Sequence, residues 1–159
     1  MKLAMILWLA HVLPQQVADP MCLATTVYLE ARGQPENGQR AIAEVALRRR
    51  DSGAWGSSVC GVVTAPGQFA MATLNPAARL AEPAAFFTAL RIAIGTEHDW
   101  AKPAAERQEV VPGANHFAAR TSDDPAWPRS RLLAVIGNQN FYSVGRVATG
   151  HEMAGRSAP

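Results

Sequence analysis

At 159 residues and 17.0 kDa, with 48% apolar and 18% charged side chains, the chain can bury one core and carries too few charges to remain unfolded, so one globular domain is expected. A net charge of +2 spread over scattered arginines excludes the dense basic face of a nucleic-acid binder. Two cysteines with no CxxC pair and no histidine at ligand spacing argue against a zinc site, and neither metal nor cofactor is expected.

Lys2 precedes an apolar run from Leu3 to Leu13, and Pro14 to Ala18 follows; this is the order of an export signal, with a basic start, a short apolar stretch and a small residue before a cut. The run is shorter than an ordinary membrane span, and no stable span is expected. Two readings stand for residues 1–18: an export or anchor segment, and a first helix packed on the domain. The domain proper is expected over 19–145, with 146–159 as a frayed tail.

Asp19 as N-cap, Pro20 at the first helical position and Gly33 as the stop predict a helix from about Pro20 to Arg32. Leu23, Val27 and Glu30 share one stripe, and Cys22, Thr26 and Leu29 make an adjoining, mostly apolar one. A helix apolar on so many sides is a buried one. Glu30 then sits among apolar neighbours near the negative end of the helix dipole, where its proton is held tightly, as a general acid requires. The competing reading is a structural ion pair with Arg32 or one of Arg48 to Arg50.

A second helix is expected from Pro35 to Arg50, with Ile42, Val45, Ala46 and Arg49 on its inner side and edge. Glu36 with Arg40 and Glu44 with Arg48 stand at i, i+4, and the terminal arginines suit the helix dipole better than they suit a binding patch. Residues 51–75, rich in Gly and Ser, read as irregular structure able to line a cleft, with short apolar pieces at Val59 to Val63 and Gln68-Phe69. A third helix opens at Pro83, carries Phe86, Leu90 and Ile94 as its core stripe and stops at Gly95, leaving Glu97, His98 and Asp99 in a solvated loop. Val110 to Ala119 and Val135 to Val144 alternate as two antiparallel strands joined by the polar connection 121–128. His116 and Tyr142 are the members of their pairs expected to look into a cleft.

Cys22 to Ala24 with Tyr28 to Gly33, Gly38 with Ala41 to Val45, Val59 to Val63 with Pro66 to Phe69, Gly113 to Phe117, Pro125 to Trp127 and Ile136 to Tyr142 together resemble the SleB-like cell-wall hydrolases, over roughly residues 20–144. Three positions depart from the usual pattern of that family: Gln34 replaces an acid, Arg48 an asparagine, and Asn115 stands in a motif that usually reads ATHF. The resemblance implies an α+β, mainly helical fold of the lysozyme-like group, with a small antiparallel sheet as the other wall of the cleft. It implies action on the glycan of peptidoglycan as a lytic transglycosylase, with Glu30 as the catalytic residue. Gln68, Phe69, Asn115, His116 and Tyr142 are then the candidates to bind the sugars, and Cys22 and Cys60, near the cleft by this resemblance, are expected within bonding distance. Composition alone leaves open whether the two pair in an oxidising compartment or stay as buried thiols. A monomer acting in the periplasm or wall is expected. Two other classes compete: an N-acetylmuramoyl-L-alanine amidase, for which the four histidines show no zinc spacing, and a non-catalytic wall-binding module.

Overall fold

The computed structural model describes residues 2–121 and 127–145. Among these residues five helices run α1 Leu3–Val12, α2 Gln15–Ala31, α3 Glu36–Ser52, α4 Val59–Thr64 and α5 Pro83–Trp100, with a 3₁₀ turn at Ala70–Thr73; three strands follow, β1 His116–Ala119, β2 Ser130–Ile136 and β3 Gln139–Val144. The order within the antiparallel sheet is β1-β3-β2.

Helix α2 is the centre of the molecule because it is apolar on several sides. It packs against α1, α3, α4, α5 and the 3₁₀ turn, and Cys22, Leu23, Ala24 and Val27 are fully buried. It begins five residues earlier than the caps predict, with Pro20 inside it. Asp19 does not cap: its buried carboxylate accepts from Gln15 Nε2 at 3.0 Å and from the Cys60 amide at 3.2 Å. Those bonds and the burial of Ala18 hold the extra turn together although Pro20 lacks a backbone donor. Helix α1 packs Leu3 and Ile6 into the core and leaves Trp8 63% exposed. None of the described helices is long and apolar enough to cross a membrane.

The second helix forms where expected and ends in a left-handed cap at Gly53, φ 69°. Its charges pair differently from the two expected i, i+4 pairs, Glu36–Arg40 and Glu44–Arg48. Glu36 meets Arg91 on α5, and Arg48 reaches Glu109 and the Ala114 carbonyl. Glu44 is buried beside Arg40 and accepts from the Val110 and Val111 amides. Burial raises its pKa against the pull of those amides and of Arg40. Glu44 is thus a strut under the segment leading to β1. Glu44→Leu strands the Val110 and Val111 amide donors and leaves Arg40 with Asp99 as its remaining carboxylate; a loss of about 3 kcal/mol in chemical unfolding is expected.

Helix α5 runs through Gly95, because its buried face is Phe86, Ala89, Ile92, Ala93, Thr96 and Trp100 rather than the Leu90–Ile94 line. Ile94 is 53% exposed. Glu97, His98 and Asp99 are therefore helical, not a loop: Asp99 binds Arg40 and Lys102, and Glu97 is pushed up to about 7 by burial and by the nearby Asp19 charge.

The sheet also differs from the two predicted strands. The hairpin is β2–β3, its turn at Gly137-Asn138 falling inside the stretch read as one strand, and 121–128 links β1 to β2. At Gly137, φ 55°, an added Cβ would stand 2.3 Å from Gln34 Oε1, the atom that accepts from the Asn138 amide at 2.8 Å. Ile136 lies against Gly38, where a Cβ would come within 3.3 Å of it. These two glycines let the hairpin close on the α2–α3 corner. Asp123, Asp124 and the tail 146–159 lie outside the described residues.

Candidate active site

Glu30 sits half-buried in the last turn of α2, at the floor of a cleft of about 490 Å³. One wall is Gly67, Gln68, Phe69, Ala70 and Thr73; the other is His116, Phe117 and Trp127; Arg49 completes the floor. Several contacts bring the first wall to the glutamate. The Cys22–Cys60 disulfide, Cα–Cα 5.2 Å, ties α4 to α2. The Ser58 hydroxyl caps α4 through the Gly61 amide at 3.0 Å. Met71 is buried against Thr26, whose hydroxyl lies 3.4 Å from its sulfur. With these fixed, the Ala70 amide donates to Glu30 Oε1 at 2.6 Å. On the other side Gln139 Nε2 donates to the Glu30 backbone carbonyl at 3.0 Å, anchoring the sheet to the end of α2.

Glu30 is in no ion pair among the described residues. Arg32 goes to Glu82 and over the Tyr28 ring, Arg48 to Glu109, and Arg50 to Asp51. Desolvation raises the Glu30 pKa; the Ala70 hydrogen bond and the charge of Arg49 pull it part of the way back. The group keeps its proton into a higher pH range than an exposed glutamate, which is the property a general acid needs.

The expected sugar-binding residues divide. Gln68, Phe69 and His116 line the cleft. Tyr142 is buried behind it, edge-on to Trp127 at 5.5 Å and accepting from Asn140 Nδ2. Asn115 faces the protein: its side chain exchanges two hydrogen bonds with the Val144 backbone, at 2.8 and 2.9 Å. That pairing fixes the amide orientation, so His116 Nδ1 donates to Asn115 Oδ1 at 2.9 Å and Nε2 is left as the acceptor. Burial and the Arg49 charge push His116 down to about 4, so the ring is neutral at neutral pH. Trp127, tilted against His116 at 4.8 Å, stands in the motif Pro125 to Trp127 and lines the cleft; Arg49, expected at the edge of α3 and, with Arg48 and Arg50, as one candidate partner of Glu30, lines it as well. Among the described residues no three His, Cys, Asp or Glu side chains converge as a metal site would need.

Residues 33–142 match the family model described as Cell Wall Hydrolase. The chain belongs to the cell wall hydrolase family. Spore cortex-lytic enzymes of Bacillus subtilis (strain 168) and Oceanobacillus iheyensis are 49% and 43% identical to this hydrolase over 51 residues, 32% of this chain but 17% and 18% of the relatives. The crystal structure of the catalytic domain of the Bacillus cereus SleB protein shares its fold, with a TM-score of 0.59 at 24% identity, covering 77% of this chain and 88% of that one. The mainly helical fold with a small sheet is therefore that of the SleB catalytic domain. Glu30 lies just before the matched span of this hydrolase, so the family match assigns it no role.

Proposed function

We propose that this hydrolase cleaves the bond between N-acetylmuramic acid and N-acetylglucosamine in peptidoglycan, as a lytic transglycosylase in which Glu30 serves first as acid and then as base. The observation that carries it is a single proton-holding carboxyl at the floor of an aromatic-walled cleft. Hydrolysis with retention or inversion uses a second carboxylate roughly 5 to 10 Å away. Among the described residues no second carboxylate lines the cleft; Glu44 and Asp99 are engaged elsewhere. A muramoyl C6 hydroxyl that attacks C1 needs no such partner: it returns its proton to Glu30 and closes a 1,6-anhydro ring, helped by the sugar's own acetamido group.

The catalytic unit is residues 19–145, working as a monomer on wall glycan in the periplasm or wall; of the two readings of residues 1–18, export or anchor segment and packed first helix, the burial of Leu3 and Ile6 in the core supports the second. Digestion of purified sacculi followed by mass spectrometry tests the reaction. Anhydro ends, lighter by one water or about 18 Da, are expected. Reducing muramic acid or glucosamine ends would make the enzyme a hydrolytic glycosidase, free stem peptides would make it an amidase, and intact sacculi would leave a wall-binding module.

A further inference from the structure

Arg49 is 5% exposed, and a buried cation ordinarily takes a carboxylate partner. Arg32, Arg40, Arg48, Arg50 and Arg91 all do so in this molecule. Arg49 instead spends its donors on neutral acceptors from two different walls. Nε donates to the Asn115 carbonyl at 2.9 Å; Nη1 donates to the Gln68 carbonyl at 3.1 Å and to Gln68 Oε1 at 3.2 Å. Its flat faces meet Phe69 at 4.9 Å and Trp55 at 5.4 Å. Among the described residues it is in no ion pair, and Glu30 is the other charged side chain of the cleft lining.

We propose that Arg49 is a positioning residue for the acid: its guanidinium clamps the Gln68 wall to the Asn115 wall and turns its unspent charge on Glu30, so that the carboxyl gives up its proton on demand. This rests on the Glu30 reading above. In the first step the Glu30 proton moves to the glycosidic oxygen while the C1–O bond breaks and its electron pair leaves with that oxygen. Glu30 is then a carboxylate in a desolvated site, the state burial penalises and a neighbouring cation favours. In the second step the C6 hydroxyl proton passes to Glu30 as O6 bonds to C1. Burial alone would make Glu30 too weak an acid; Arg49 sets it between holding and releasing. Besides Arg49 on α3, the groups that face Glu30 are the Ala70 amide from the 3₁₀ turn, the Gln139 amide from β3 and the neutral His116 from β1. Arg49 itself, pushed down to about 10 by burial, is still charged at neutral pH.

The test is the pH profile of kcat/KM on soluble glycan strands for Arg49→Met, Arg49→Gln and Arg49→Lys, with thermal melts as the folding control. A general acid must be protonated, so the rate falls as pH rises through its pKa, and loss of the cation raises that pKa. The alkaline limb is expected to move up by about 1 pH unit in the Met and Gln variants. The Lys variant keeps the limb in place but loses roughly tenfold in rate, since an ammonium cannot span both walls. A loss equal at all pH values with an unmoved limb in the neutral variants overturns the inference, as does failure of both to fold. Glu30→Gln run alongside separates the two readings. If it is inactive while the limb stays fixed, only the Arg49 role falls; if it remains active, the Glu30 reading falls.

Discussion

Glu30→Gln is expected to slow wall lysis by at least about 100-fold while leaving the melting temperature unchanged or higher, since a positioned general acid or base contributes roughly 10²–10⁴ in rate. The amide keeps the size and shape of the side chain, and its oxygen can still accept from the Ala70 amide that now bonds Oε1. What it lacks is the transferable proton. The stability side follows from the raised pKa of Glu30. The native state binds this proton more tightly than the unfolded chain does, so the group's contribution is full at low pH and is lost as pH rises through the folded pKa. The glutamine does not titrate, so the variant escapes that loss, and the gap in melting temperature should widen from acid to neutral pH. Turbidity clearing of purified walls and calorimetric melts at two pH values measure both halves. Retention of most of the lytic activity would remove Glu30 from the mechanism.

The sequence made Glu30 legible because a charged residue on the Leu23–Val27 stripe breaks an otherwise apolar pattern, and pattern is what burial writes into a helix. It made α3 legible for the same reason. Helix bounds fared worse where tertiary packing overrode local signals. Pro20 is carried inside α2 because Asp19 is claimed by the Cys60 amide. Gly95 does not stop α5 because Thr96 and Trp100 are buried beyond it. The hairpin turn was hidden because Gly137-Asn138 sits in a run that alternates convincingly on both sides.

Arg49 illustrates a different limit. At a helix C-terminus an arginine is expected on electrostatic grounds alone, so the sequence offers Arg49 only as one of several candidate partners for Glu30. Its role emerges only from the two carbonyls and two rings that the fold brings around it. The three departures from the family pattern have structural uses of the same kind. Gln34 holds the hairpin turn, Arg48 ties α3 to Ala114 and Glu109, and Asn115 pairs with Val144 while orienting His116. Each supports a wall of the cleft without lining it.

Reduction of the Cys22–Cys60 bond is expected to lower the unfolding free energy by about 4 kcal/mol and the melting temperature by roughly 10 °C, the second largest effect foreseen. The bond joins residues 38 apart, and closing a loop of that length restricts the unfolded chain far more than the folded one. It also has a local consequence. Cys60 lies in α4, which leads directly into the wall bearing Gln68, Phe69 and Ala70, so the bond fixes that wall to the same helix that carries Glu30. Freed from it, the Ala70 amide still has Met71 and Thr26 to hold it near Glu30. Activity at 25 °C should therefore fall only a few-fold, whereas the half-life at elevated temperature collapses. Melts of the oxidised protein, the reduced protein and Cys22→Ala/Cys60→Ala, with thiols counted in each, make the comparison. A reduced protein with two titratable thiols and an unchanged melting temperature would show the bond to be dispensable. A large loss would mean that the enzyme reaches its full stability only in an oxidising compartment, where the wall it is proposed to cut is found.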